Sequence, residues 1–158
     1  MKGFVSYSHE DHRLCGELLT HLRATERECR IKFWADHRIA AGYDWTDEIA
    51  NAIKEADVCI MLVSAQFIAS DYIYKKEIPA IDKQRKSGAL VMPVILRECS
   101  WQMLSGVLQA VPTISGRVRP ITKWSPQNDG FDRARDQITT AIRNKFGIKT
   151  KPRFGSVP

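Results

Sequence analysis

Apolar positions along this chain change their period several times, and those changes divide it into short elements. Residues 3–7 (GFVSY) are a compact apolar run of strand length. Leu14, Leu18, Leu19 and Leu22 then recur at three- and four-residue spacing, so a helix is expected from a cap at Asp11 to about Ala24. Residues 31–34 predict a second strand, followed by a loop over 35–44 whose flexible point is Gly42. Ile49, Ala52, Ile53 and Ala56 share one face of a helix over 44–56. Residues 58–63 (VCIMLV) are apolar without alternation, the pattern of a strand covered on both faces.

The second half repeats the alternation. Ser64 opens a helical stretch running in pieces to Lys86, and Pro79 must break or kink it because it lacks an amide donor. Residues 89–96 are a further buried strand, which Pro93 moves towards an edge or a bulge. A short helix over 101–110 and a weak strand over 117–121 follow. The last helix starts from a cap at Asp129, carries Phe131, Ala134, Ile138, Ile142 and Phe146 on one side, and stops at Gly147. Strands alternating with helices imply right-handed crossovers and a parallel sheet with helices on both faces. Five strands suit an α/β, flavodoxin-like order 2-1-3-4-5. A ligand in such a sheet sits beyond the carboxyl ends of strands one and three, here residues 7–9 and 64–65.

Composition narrows this little. A hydrophobic content of 44% and a charged content of 27% suit one globular domain of 158 residues and exclude disorder or a coiled coil for the whole. Apolar runs are far shorter than the ~20 residues that cross a bilayer, so no membrane is expected. The net charge of +6 is uneven: residues 1–79 carry ten basic and thirteen acidic side chains, residues 80–158 fourteen and five. Much of the excess lies in the tail (Arg143, Lys145, Lys149, Lys151, Arg153), where it is a terminal run rather than a patch with interleaved aromatics. Nucleic acid is therefore not an expected partner. A folded unit over 1–146 and a basic tail or linker over 147–158 are expected. Cys15, Cys29, Cys59 and Cys99 are scattered without a Cys-x-x-Cys pair, which suits reduced thiols and a cytoplasmic location. His9, His12 and Cys15 have no second ligand cluster at a metal-site spacing, so no metal is expected.

The loops around the predicted site carry Ser6, Tyr7, Ser8, Asp36, Arg38, Tyr43, Trp45, Ser64, Ser70, Tyr72 and Glu77. Aromatics, hydroxyls and a carboxylate suit a ligand with flat rings and sugar hydroxyls. No Gly-x-Gly-x-x-Gly or Gly-Lys-Ser/Thr loop follows a strand, which disfavours a dinucleotide redox fold and a P-loop. By itself Glu77, beside Lys75 and Lys76, reads as an ordinary surface carboxylate.

Taken in order, these segments resemble a Toll/interleukin-receptor (TIR) domain. Phe4 to Asp11 (FVSYSHED) is similar to its first box, and Asp36 to Trp45 (DHRIAAGYDW) to the loop after its second strand. Ala56 to Ser64, followed by Phe67, Ser70, Asp71, Tyr72 and Glu77, resembles the bacterial pattern that ends in a catalytic glutamate. Residues 91–96 with Trp101 look like the fourth strand and its loop. Ile73 stands where relatives often carry an aromatic four residues before the glutamate.

The resemblance implies cleavage of NAD⁺ at the nicotinamide–ribose bond by Glu77. NAD⁺ is then the substrate and no cofactor is needed. It implies substrate contacts from Phe4, Ser6, Tyr7, Ser8, Asp36, Arg38, Tyr43, Trp45, Ser64, Ser70 and Tyr72. It also implies homotypic TIR–TIR assembly, a fused sensor downstream, and a role as effector of a bacterial antiphage defence system. The alternative within the family is an adaptor without catalysis, acting by protein contact.

Overall fold

Lys2–Tyr7 (β1) has Lys32–Ala35 (β2) on one side and Val58–Val63 (β3) on the other, with Leu90–Ile95 (β4) beyond β3; all pairs are parallel. The computed structural model describes residues 1–35, 47–104 and 109–149. The α/β class and the order 2-1-3-4 follow the sequence expectation. The sheet has four strands among the described residues rather than five. A fifth place beside β4 is held by one residue: Val111 donates to Pro93 O at 2.9 Å and accepts from Ile95 N at 2.8 Å. The next donor that could extend this ladder, Thr113 N–H, goes instead to Gln137 Oε1 at 2.8 Å. The expected weak strand over 117–121 is instead divided. Arg117–Val118 (β6) pairs antiparallel with Thr113–Ile114 (β5) around Ser115 and Gly116, whose φ values of 50° and 75° make a tight hairpin turn. Ile121 lies in a separate buried turn.

The unbroken apolar runs have a simple cause. In β3, Val58, Ile60 and Leu62 pack on one side, against His12–Cys29 (α1) and Gln127–Phe146 (α5). Cys59, Met61 and Val63 pack on the other, against Asp47–Lys54 (α2), Ala65–Ala69 (α3) and Ile78–Lys86 (α4). With both faces covered, no position is left for a polar residue to alternate into. Pro93 is tolerated because its missing donor faces the outer edge of β4, where only its carbonyl is used.

α1 runs past the expected Ala24 to Cys29, closed by Arg30 at φ 51°. Its last turns are buried through a polar contact, Thr25 Oγ1 to Thr139 Oγ1 of α5 at 2.8 Å, which an apolar-period reading passes over. α2 is described from Asp47 and ends at Lys54, two residues before the expected Ala56; residues 36–46, which include Gly42, lie outside those described. Of the expected helix over 101–110, Trp101–Leu104 forms a short turn, and 105–108 also lie outside. α5 begins at Gln127, with Asp129 in its first turn rather than as cap, and ends at Gly147 with φ 64°. Among the described residues no helix is long and apolar enough to cross a membrane.

Candidate functional site

The buried polar and charged residues locate the site. Seven are found among the described residues: Ser6, Ser8, Asp11, Thr25, Ser64, Glu77 and Thr139. Thr25 and Thr139 bond to each other between α1 and α5. The other five gather at the carboxyl ends of β1 and β3, the place the strand order designates. Burying a polar group costs free energy unless it is bonded, so such a gathering marks function or a tightly built structural node.

On the α2–α4 side of the sheet, Ser6 Oγ donates to Glu77 Oε2. Ser6 is the penultimate residue of β1 and shares a face with Phe4; Glu77 ends a π turn, Ile73–Glu77, directly before α4. Ile78 N–H reaches back five residues to Ile73 O in that turn. The wide turn has a local reason. Pro79 has no N–H for an ordinary bond to Lys75 O, and its ring would strike that carbonyl in a regular helix. The expected break at Pro79 is therefore a widening one turn earlier, and it sets Glu77 on the inward face with Ile73. Glu77 is 2% exposed, while Lys75 and Lys76 point outward and Lys75 pairs with Asp71 at 3.6 Å. The ordinary-surface-carboxylate reading is excluded.

A second network lies on the α1 side. Ser64 Oγ donates to Asp11 Oδ2 and accepts from Phe67 N at 3.1 Å, capping α3. Arg97 Nε donates to Asp11 Oδ1 at 3.1 Å. Asp11 occupies the N-cap position of α1, but its carboxylate makes no capping bond and turns to Ser64 and Arg97 instead. Asp11 and Arg97 were not among the residues singled out by sequence. Asp11 passed as a helix cap, and no sequence signal distinguishes a capping aspartate from one buried under two other strand ends. Cys15, one turn on, has its thiol pushed up to about 12 by burial, with Asp11 adding to the effect.

The remaining candidates separate. Phe4 is a core residue stacked on Trp34, ring centroids 5.8 Å apart. Tyr7 faces the α1 side, its ring 6.3 Å from that of His12, so it does not share a face with Ser6 and Glu77. Ser8 is buried where β1 ends. Ser70 Oγ accepts from Ile73 N at 3.3 Å and starts the π turn. Tyr72 is partly buried against the α2–α4 core. Asp36, Arg38, Tyr43 and Trp45 lie outside the described residues. A cavity of about 360 Å³ between α4 and Met103 lies beside the Ser6–Glu77 pair, lined by Met61, Ile78, Pro79 and Leu104 with Asp82 and Arg85. Buried polar chemistry, not cavity size, defines the site. Among the described residues no cluster of three His, Cys, Asp or Glu could hold a metal ion.

A family model described as TIR domain matches residues 4–141, from the first strand to the last helix. The chain belongs to the TIR domain family. It is also 39% identical over 150 residues to the uncharacterized protein y4lF of Sinorhizobium fredii. That match takes in 94% of this chain and 44% of the relative, so the chain spans less than half the length of that protein. The family match starts within β1 and ends within α5, and encloses every residue of both networks.

Proposed function

We propose that this TIR domain hydrolyses NAD⁺ at the nicotinamide–ribose bond, with Glu77 as the catalytic residue. The observation that carries the reading is a buried carboxylate, held by Ser6, at the carboxyl end of a parallel sheet. Nicotinamide leaves as a neutral base from a pyridinium, so its departure needs no protonation. An ordinary glycosidase uses two carboxylates because its leaving oxygen must be protonated; here one suffices. The C1′–N bond breaks with its electron pair going to nicotinamide, and Glu77 stabilises the cationic ribose carbon. Water adds at C1′ and loses a proton, giving ADP-ribose, nicotinamide and H⁺. Ser70, Tyr72 and the polar and aromatic residues at 36–45 would line the substrate.

Glu77 at 2% exposure must be uncovered before a ribose can reach it. We assign that step to homotypic assembly, which makes this domain the effector of a longer cytoplasmic defence protein whose sensor lies outside this chain. The greater length of the Sinorhizobium relative is consistent with a second domain. A rival reading, an adaptor acting only by contact, draws on Tyr74 and Met103, which are 61% and 79% exposed beside the apolar cavity. Nicotinamide release per molecule, followed over about a hundredfold dilution with particle size measured by light scattering, separates the two. The enzyme reading expects release that rises with concentration, because only the assembled fraction is competent. Complete absence of release from a concentrated, assembled sample favours the adaptor.

A further inference from the structure

Arg97 lies two residues past the end of β4, at the carboxyl rim of the sheet. It follows Leu96, whose N–H extends the β3 ladder to Val63 O at 2.9 Å and whose carbonyl accepts from Thr122 N at 3.0 Å. The backbone under Arg97 is therefore pinned on both sides. It stands beside Ser64, at the ends of adjacent strands and at the same rim as Ser6 and Glu77.

Its side chain is held by one edge. Nε donates to Asp11 Oδ1, and Asp11, 1% exposed, is fixed in turn by Ser64. Arg97 itself remains 43% exposed, and its two terminal nitrogens have no hydrogen-bond partner among the described residues. A guanidinium has five donors in a planar fork, and the pair at its outer edge matches two oxygens of a phosphate. Asp11 also sits at the N-terminus of an 18-residue helix, whose partial positive charge offsets part of its own. The ion pair therefore orients Arg97 without cancelling its attraction for an anion. Exposed Glu10 and Glu98 flank it in sequence and set a modest ceiling on that attraction.

We propose that Arg97 is a phosphate-binding residue of the cleft, taking the diphosphate of a dinucleotide. Asp11 is the positioning residue that aims it. This deepens the NAD⁺ reading and rests on it for the identity of the dinucleotide. Ser6 lies on β1 and Arg97 two residues past the end of β4, with β3 between them, about 10 Å across the sheet at ordinary strand spacing. Their networks lie on opposite faces, so a ligand that meets both crosses over the carboxyl ends of the strands. A dinucleotide covers that span and a lone sugar does not.

The test uses Arg97→Lys, which keeps a cation beside Asp11 but loses the fork, with Arg97→Gln as a second variant, each assayed below its thermal midpoint. ADP-ribose, which has no nicotinamide bond to break, is titrated calorimetrically into the parent and both variants. KM is measured for NAD⁺ and for nicotinamide riboside, which lacks phosphates. The expected result is about tenfold weaker ADP-ribose binding and about tenfold higher KM for NAD⁺ in Arg97→Lys, and no rise for the riboside. Unchanged ADP-ribose affinity in both variants, or no binding to the parent, would make Arg97 an ion-pair partner of Asp11 only. Binding that depends on Arg97 without nicotinamide release would keep the phosphate site and overturn hydrolysis. Hydrolysis with an unaltered KM for NAD⁺ would do the reverse.

Discussion

Ser6 and Glu77, 71 residues apart in sequence, are joined by a buried hydrogen bond in which the serine hydroxyl donates to the carboxylate. The bond ties the centre of the sheet to the π turn before α4. It is one of the contacts that hold this carboxylate inside, at 2% exposure. Ser6→Ala removes that donor and leaves the rest of β1 intact. Losing a hydrogen bond to a buried charged group costs about 1–3 kcal/mol, so the urea midpoint should fall. Nicotinamide release should fall roughly tenfold as Glu77 loses its fixed position. A variant as stable and as active as the parent would show that Ser6 does not hold Glu77.

Much of this was legible in the sequence. The runs at 58–63 and 89–96 announce strands covered on both faces, and β3 and β4 lie within a residue of them because burial on two sides leaves no other pattern. The switch-point rule points to residues 7–9 and 64–65, and four buried polar residues, Ser6, Ser8, Asp11 and Ser64, lie at or within two residues of them. What was not legible was polar burial. Thr25 ended the apolar stripe of α1 yet lies inside, and Asp11 passed as a cap yet bridges two other strand ends. Apolar periodicity reports only apolar contacts; a buried hydroxyl or carboxylate depends on partners more than 50 residues away that no local window contains. The strand expected over 117–121 is not a sheet strand among the described residues, because Arg117 and Val118 pair with Thr113 and Ile114 in a local hairpin and Ile121 falls in a separate turn.

The cysteines should show graded reactivity. Cys15 and Cys59 are buried and their thiols are pushed up to about 12, by desolvation first in both cases. Cys99 is only partly buried and should be alkylated first under native conditions. The same burial gives a pH dependence. Unfolded, these thiols ionise near 9.0; folded, they stay protonated to about 12. Their contribution is complete below 9.0 and is lost as pH rises towards 12, because the unfolded chain then releases protons that the folded one keeps. Urea midpoints across that range should fall less steeply in a Cys15→Ala, Cys59→Ala double variant than in the parent. Equal slopes would contradict the assignment.

Truncation should be sensitive to two residues at the end of α5. Gly147 closes the helix at φ 64°, and Ile148, with its N–H on Arg143 O at 3.0 Å, packs against the α1 side of the core. Removing 150–158 should leave the thermal midpoint in place, since that stretch has no apolar periodicity to bury. Removing 147–158 should lower it by about 2–4 °C, the shift that corresponds to about 1 kcal/mol in a domain of this size. Equal midpoints for the two truncations would show that Ile148 contributes nothing.

The most direct measurement is nicotinamide release by the parent and by Glu77→Gln at equal, high protein concentration, with folding of both checked by thermal denaturation. Glutamine keeps the size of the side chain and can still bond Ser6, so only the negative charge proposed to face the ribose is removed. The account predicts a folded variant whose release is slower by about 10²–10³, the usual cost of losing one electrostatic stabiliser of a transition state. A folded variant that releases nicotinamide at the parent rate would contradict it.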